Sequence, residues 1–100
     1  MHFNDIPLYE GAILKDYAPA APSGEVAEHE VYHIPGATLE QVSKWYRKAM
    51  PDYGWKLRND TGTALFYEKS QREAFLGIDQ LEGYVVLTIL VNVPETNPSG

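Results

Sequence analysis

Residues 38–57 read TLEQVSKWYRKAMPDYGWKL, and this stretch decides the fold because its apolar period changes partway along. In the first half, apolar residues recur at spacings of three and four, the pattern of an amphipathic helix. Thr38 and Gln41 have the spacing of a capping box, which predicts that the helix begins there. Pro51 is expected to end it. After Gly54 the period becomes two, which is typical of strands.

Alternating patterns predict strands on both sides of this helix. Four of them follow it and are joined by connections of hairpin length, so they form an antiparallel meander. Two more segments precede the helix. The predicted strands cover 12–17, 25–34, 55–60, 63–69, 72–79 and 83–93. The sequence therefore predicts an α+β fold, with one amphipathic helix packed on an antiparallel sheet of about five strands, in the order strand, helix, four-stranded meander.

Length and composition indicate a single small domain. The chain has 100 residues, of which 44% are apolar, and two domains of half that size would each lack a sufficient core. The Pro- and Ser-containing end has no apolar periodicity. We expect one α+β domain over 1–94 and a flexible tail over 95–100.

Charge and cysteine content exclude several classes of protein. Fourteen acidic and eight basic residues give a net charge of −6, which argues against a nucleic-acid partner. Lys44, Arg47 and Lys48 form a basic patch, but helix-end electrostatics already account for it. No cysteine is present, so disulfides and thiolate metal sites are excluded. No apolar run approaches the ~20 residues of a membrane span. No cofactor is expected.

The aromatic residues around the helix allow two interpretations. Burial of their rings at a corner of the core is favoured, and an exposed stacking platform for a base or sugar is the alternative. A related hypothesis places a small-ligand pocket, or a minor enzymatic site, between the helix and the sheet edge. That pocket would be lined by Tyr32, Tyr46, Trp55 and Tyr67.

The histidines do not predict a metal site. His29 and His33 lie four residues apart on a predicted strand, a separation of ~13 Å. Zn–N bonds are ~2 Å long, so the two rings cannot share one ion. No nucleophile motif accompanies the serines. We therefore assign no metal ligands and no catalytic residues.

The last predicted strand has two different faces. Val85, Leu87, Ile89, Val91 and Val93 form an aliphatic face that we expect to pack against the helix. The opposite face carries Tyr84, Val86, Thr88 and Leu90, which is more apolar than a solvated face requires. Residues 3–14, a second copy of the chain or another protein could cover it. The leading hypothesis is a non-enzymatic interaction module that binds another protein, or itself as a homodimer, through this face.

Three segments of the chain resemble a recurrent small bacterial domain. They are DIPLYEGA (5–12), TLEQVSKWYRKAMPDYGWKL (38–57) and ALFYEKSQREAFLGI (64–78). That family has an opening phrase similar to Asp-x-Pro-x-Tyr-Pro-Gly-Ala, and here Glu10 stands where its proline is usual. Many members follow a signal or lipoprotein sequence, so the resemblance implies an extracytoplasmic location. A cytoplasmic location is the alternative, since the chain shows no leader. The family has no assigned activity, so the resemblance implies no site residues.

Overall fold

The structure of the protein is a computed structural model that describes residues 5–19 and 28–92. Within these ranges the chain forms one helix and six strands. They are β1 (Ile13–Ala18), β2 (Glu28–Pro35), α1 (Leu39–Asp52), β3 (Lys56–Asp60), β4 (Ala64–Lys69), β5 (Arg72–Leu81) and β6 (Tyr84–Asn92). The predicted tail at 95–100 and the start of the predicted strand 25–34 lie outside the described residues.

The strands form one antiparallel sheet in the order β1-β2-β6-β5-β4-β3. The predicted α+β architecture is confirmed, with six strands where about five were expected. The expected order counted one strand before the helix, whereas both predicted segments there belong to the sheet: β1 pairs with β2, and β2 joins the meander through β6. Strand β6 therefore has a neighbour on each side, which places its aliphatic face in the middle of the core.

Helix α1 begins as its sequence predicts. The Thr38 hydroxyl accepts a hydrogen bond of 3.2 Å from the Gln41 N–H, and the Gln41 side chain accepts one of 3.1 Å from the Thr38 N–H. The predicted end at Pro51 is wrong, because the helix continues through Pro51 to Asp52. In the last turn the missing N–H of proline removes a single intrahelical bond, and the Tyr53 N–H already closes the helix by donating to Met50.

The core lies between α1 and one face of the sheet. Val85, Leu87 and Ile89 of β6 are fully buried there, as the alternation predicts. Their partners in the core include Ile34, Leu65, Leu76, Ile78, Val42 and Met50. Burying each such side chain stabilises the fold by about 1.5–3 kcal/mol. Val93, the last residue of the predicted aliphatic face, lies outside the described residues.

A bidentate ion pair connects the helix to the edge of the sheet. Arg47 donates from Nε and Nη2 to the Asp60 carboxylate of β3, at 2.7 and 3.2 Å. The pair holds the pKa of Asp60 below its usual range, mainly through the Arg47 hydrogen bond. Arg47 therefore has a structural role within the basic patch.

Residues 5–12, which we call the N-terminal strap, cover the rest of the core on the helix side. Ile6 is buried in the core, and Tyr9 packs against it. The Tyr9 N–H donates to the Tyr46 hydroxyl at 3.1 Å, which ties the strap to α1. Residues 3–14 were one of three candidates for covering the opposite face of the sheet. The described part of that segment does not lie there, because the strap fills the space that one helix leaves open on the other side of the six-stranded sheet.

Candidate interaction face

The aromatic residues of the stretch around the helix end divide between core and surface. Tyr46 and Trp55 are buried, with 0% and 2% of their surface exposed, whereas Trp45 is 37% exposed. The ring centroids of Trp45 and Tyr46 lie 4.8 Å apart at an interplanar angle of 85°. The favoured interpretation as a core corner thus describes two of these rings, and Trp45 lies at the surface.

The four residues of the hypothetical ligand pocket are all buried. Tyr32, Tyr46, Trp55 and Tyr67 belong to one hydrophobic core, and their polar atoms are used within the protein. The Tyr67 hydroxyl donates to the Tyr46 carbonyl oxygen at 3.3 Å, and the Tyr32 hydroxyl donates to Glu30 at 2.9 Å. The structure brings these side chains together, but it closes their ring faces off from a ligand.

Burial also removes these phenols from acid–base chemistry near neutral pH. Desolvation raises the pKa of Tyr67 to about 12. It likewise raises the pKa of Tyr46, against the lowering effect of the hydrogen bond from the Tyr9 N–H. Both hydroxyls therefore stay protonated and serve as hydrogen-bonding groups of the core.

The opposite side of the sheet is the open face, centred on Tyr84, Val86, Thr88 and Leu90 of β6. All four predicted residues lie on it and are partly exposed. Neighbouring strands extend it with Val31, His33, Ala64, Phe66, Phe75 and Gly77. No described segment packs over this side, because the helix and the strap both lie on the other. The open face is a continuous, mostly apolar surface.

Register shows how the middle of the open face is built. Leu90 of β6 lies opposite Phe75 of β5, which in turn lies opposite Phe66 of β4. The two phenylalanine rings are 5.1 Å apart between centroids. Next along the strands, Gly77 pairs with Thr88. A Cβ built on Gly77 would lie 3.0 Å from the Phe75 ring, so that ring occupies the space above the glycine and keeps the face flat.

Polar side chains also lie on the open face, both near its middle and toward its ends. Thr88 is at the middle of β6, and the exposed Asp79 of β5 lies opposite Val86. His29 is 3.8 Å from Asp16, and Arg58 donates to Glu68 at 2.7 Å. The His33 ring packs on Tyr84, with centroids 4.8 Å apart. Protein–protein interfaces commonly combine apolar contacts with hydrogen-bonding polar groups in this way.

Phe66, Phe75 and Gly77 were not among the face residues predicted from the sequence. Their signal was available in the Ser70-Gln71 connection, since a two-residue hairpin turn sets Lys69 opposite Arg72 and hence Phe66 opposite Phe75. The turn between β5 and β6, which sets Leu81 opposite Tyr84, places Leu90 on the same face as both rings.

Metal and membrane sites were also sought in the described residues. Over 5–19 and 28–92, no group of three or more metal-ligating side chains comes together. The helix found there is not long and apolar enough to cross a membrane.

The chain thus forms a two-layer α+β sandwich, one helix on a six-stranded sheet, and no described segment covers the outer surface of that sheet. Comparisons with protein families, with curated proteins and with solved structures found no match for this chain. Its function is therefore argued from its own geometry.

Proposed function

We propose that the protein is a non-enzymatic interaction module that pairs with a second copy of itself through the open face. The observation that carries the proposal is the position of the strap, which packs beside α1, so that no segment within 5–19 and 28–92 covers the partly apolar side of β6. Large apolar patches on soluble proteins usually mark interaction sites. The proposal assigns no catalytic residue and requires no cofactor.

The size of the open face suits a stable interface. Six strands spaced ~4.8 Å apart span about 24 Å, and a strand of nine residues such as β6 is about 30 Å long. The face therefore covers on the order of 700 Å². A standard interface buries about 800 Å² per partner, so the whole face would be needed to approach that size.

The shape of the open face favours another sheet as its partner. The Phe75 ring lies against Gly77, and the glycine has no side chain of its own to project from the middle of the face. Two sheets pack face to face about 10 Å apart. A second copy supplies a flat face of the same size, and a twofold axis would bring identical patches together.

The proposed setting is the bacterial cell envelope. The resemblance of the strap and helix segments to a bacterial domain with many extracytoplasmic members supports this proposal. The net charge of −6 is compatible with a soluble protein in such a compartment.

The test is the mass in solution, measured by light scattering and sedimentation over a concentration series. We expect a dimer for the wild type and a monomer for Leu90→Lys, because a lysine in the centre of the face would be buried without a partner. Leu57→Lys is the matched control, since Leu57 is an exposed leucine of β3 that lies opposite Tyr67, on the helix side. It should stay dimeric.

A wild type that is monomeric throughout the series would overturn self-association. A dimer that Leu90→Lys and Tyr84→Lys leave intact would show that the copies meet elsewhere, and would overturn the role of the open face. Circular dichroism and thermal melting of each variant distinguish loss of the dimer from loss of the fold.

A further inference from the structure

We propose that a cleft between the strap and α1 binds a small organic cation that carries an alkylated ammonium group. The cleft is lined by Leu8, Tyr9, Glu10 and Trp45 and has a volume of about 480 Å³. It lies on the helix side of the sheet, so it is separate from the open face. The proposal does not depend on self-association.

Two aromatic rings form the walls of this cleft. The centroids of Tyr9 and Trp45 lie 5.4 Å apart at an interplanar angle of 78°, so the rings make a near-perpendicular corner. Trp45 is 37% exposed and Leu8 is 36% exposed. Alkylated ammonium groups bind against such aromatic faces through cation–π attraction and apolar contact, and tryptophan is the strongest partner.

Hydrogen bonds fix the strap side of the cleft in advance. The Tyr9 N–H donates to Tyr46 at 3.1 Å, and the Ala12 N–H donates to the Tyr9 carbonyl oxygen at 3.1 Å. The second bond closes a tight turn in which Gly11 has φ of 89°, the conformation that the third residue of a type II turn needs. A site held in this way loses little conformational entropy when a ligand binds.

Glu10 supplies the charge. It occupies the second position of the turn, where proline would fit the backbone better, and its side chain lines the cleft. Within residues 5–19 and 28–92, no ion pair or hydrogen bond engages its carboxylate. An exposed carboxylate beside two rings attracts a cation and repels an anion. The net charge of −6 acts in the same direction.

Lys48 of α1 is exposed to solvent and lies three residues beyond Trp45, a spacing that puts the two side chains on the same face of the helix. Its positive charge opposes the approach of a second cation to Trp45, most strongly at low ionic strength. Removing this positive charge should therefore have the opposite effect to removing the charge of Glu10. Lys48→Gln should bind an organic cation at least as tightly as the wild type.

The experiment is a titration of the full chain with choline, followed by tryptophan fluorescence and by chemical shifts of the Trp45 indole N–H. Trp55 is buried and serves as an internal reference. We expect saturable binding in the millimolar range. The neutral isostere 3,3-dimethyl-1-butanol should bind at least fivefold more weakly, since it keeps the shape and loses the charge. Tetramethylammonium should compete with choline.

Variants separate the cleft from general charge effects. Glu10→Gln should weaken choline binding roughly fivefold, and Trp45→Leu should abolish it. Glu82→Gln, which removes one charge in the turn between β5 and β6, is the matched control and should bind as the wild type does. Equal affinity for choline and its neutral isostere, an unchanged affinity in Glu10→Gln, or no saturable response would each overturn the proposal. Because the dimer is measured by mass, failure of the cleft and failure of the open face are distinguishable.

Discussion

The indole Nε1 of Trp55 donates a hydrogen bond of 2.8 Å to the main-chain oxygen of Asp5, fifty residues earlier in the chain. The Asp5 carboxylate accepts from Lys69 at 3.0 Å and from Arg72. Both cations lie over the Trp55 ring, at 5.8 and 5.1 Å from a ring centroid. The start of the strap is therefore anchored to the β4–β5 hairpin by charge, hydrogen bonding and aromatic contact together.

This anchor predicts a dependence of stability on acid. Partial burial alone would raise the pKa of Asp5, but the hydrogen bonds and charges of Arg72 and Lys69 outweigh it and hold the pKa below its usual range. A carboxyl with a lowered pKa stabilises the fold above its unfolded value of ~4, and that contribution is lost as pH falls through the folded value. Urea unfolding between pH 7 and pH 2 should show this loss.

Asp5→Asn should lower the free energy of unfolding at pH 7 by about 1–2 kcal/mol, because the side chain is partly solvated and its cations can turn to water. Its stability should also change less with pH than that of the wild type. Asp52→Asn, at the exposed end of α1, is the control and should lose nothing. If the free energy of unfolding of Asp5→Asn fell with pH as steeply as that of the wild type, Asp5 would not be the cause of the acid dependence.

Gly77→Ala should separate folding from association. The added methyl group would lie 3.0 Å from the Phe75 ring, so the ring must rotate outward. Alanine is favoured over glycine in a strand by roughly 0.5–1 kcal/mol, which offsets the displacement. We expect the free energy of unfolding to change by less than ~1 kcal/mol, whereas the dimer weakens at least tenfold.

Sedimentation equilibrium and urea unfolding on the same preparation provide the two readouts for Gly77→Ala. Adding Phe75→Leu should relieve the clash and restore part of the association. Tight pairing in the single variant would show that the flatness of the open face does not matter.

Tyr46→Phe should destabilise the protein by about 1–2 kcal/mol, since the Tyr9 N–H loses its acceptor in a partly buried place. Tyr67→Phe is the matched change. It removes a longer hydrogen bond of 3.3 Å. The group left behind is a carbonyl oxygen that has lost one partner, so we expect a smaller loss of stability than in Tyr46→Phe. Thermal unfolding of both variants checks the order, and the reverse order would show that the strap is not held by this bond.

Salt should strengthen the proposed dimer. Each copy carries a net charge of −6, so the copies repel one another at low ionic strength, and screening within ~8 Å at physiological salt reduces the repulsion. The dissociation constant of the dimer should decrease when the NaCl concentration is raised from 20 mM to 300 mM. A constant that rises with salt would indicate attraction between opposite charges, as expected for a basic partner in place of a second copy.

Local sequence predicted the elements well because their causes are local. The capping box at Thr38 and the apolar stripe of α1 act within one helix, and hairpin turns pair strands that are adjacent in sequence. The face of β6 that carries Tyr84 and Leu90 followed from alternation alone. These features needed no knowledge of distant contacts.

The rest depended on long-range placement. Nothing near Ile6 or Tyr9 shows on which side of the sheet the strap lies, since either side could accept its apolar residues. The sequence could not predict that Trp45 would be exposed and Trp55 buried, because the environment of each ring depends on where the strap crosses the helix. The cleft beside Glu10 follows from that crossing and so could not be predicted.

Strand β6 must be synthesised before the two halves of the sheet can join. It is the last of the six strands to be made, yet both the β1–β2 pair and the β5 edge depend on it for hydrogen bonds. A chain that stops before Tyr84 would leave β2 and β5 with bare edges, and bare edges pair with other chains. Premature termination or proteolysis just ahead of β6 should therefore yield an aggregating fragment, not a smaller folded domain.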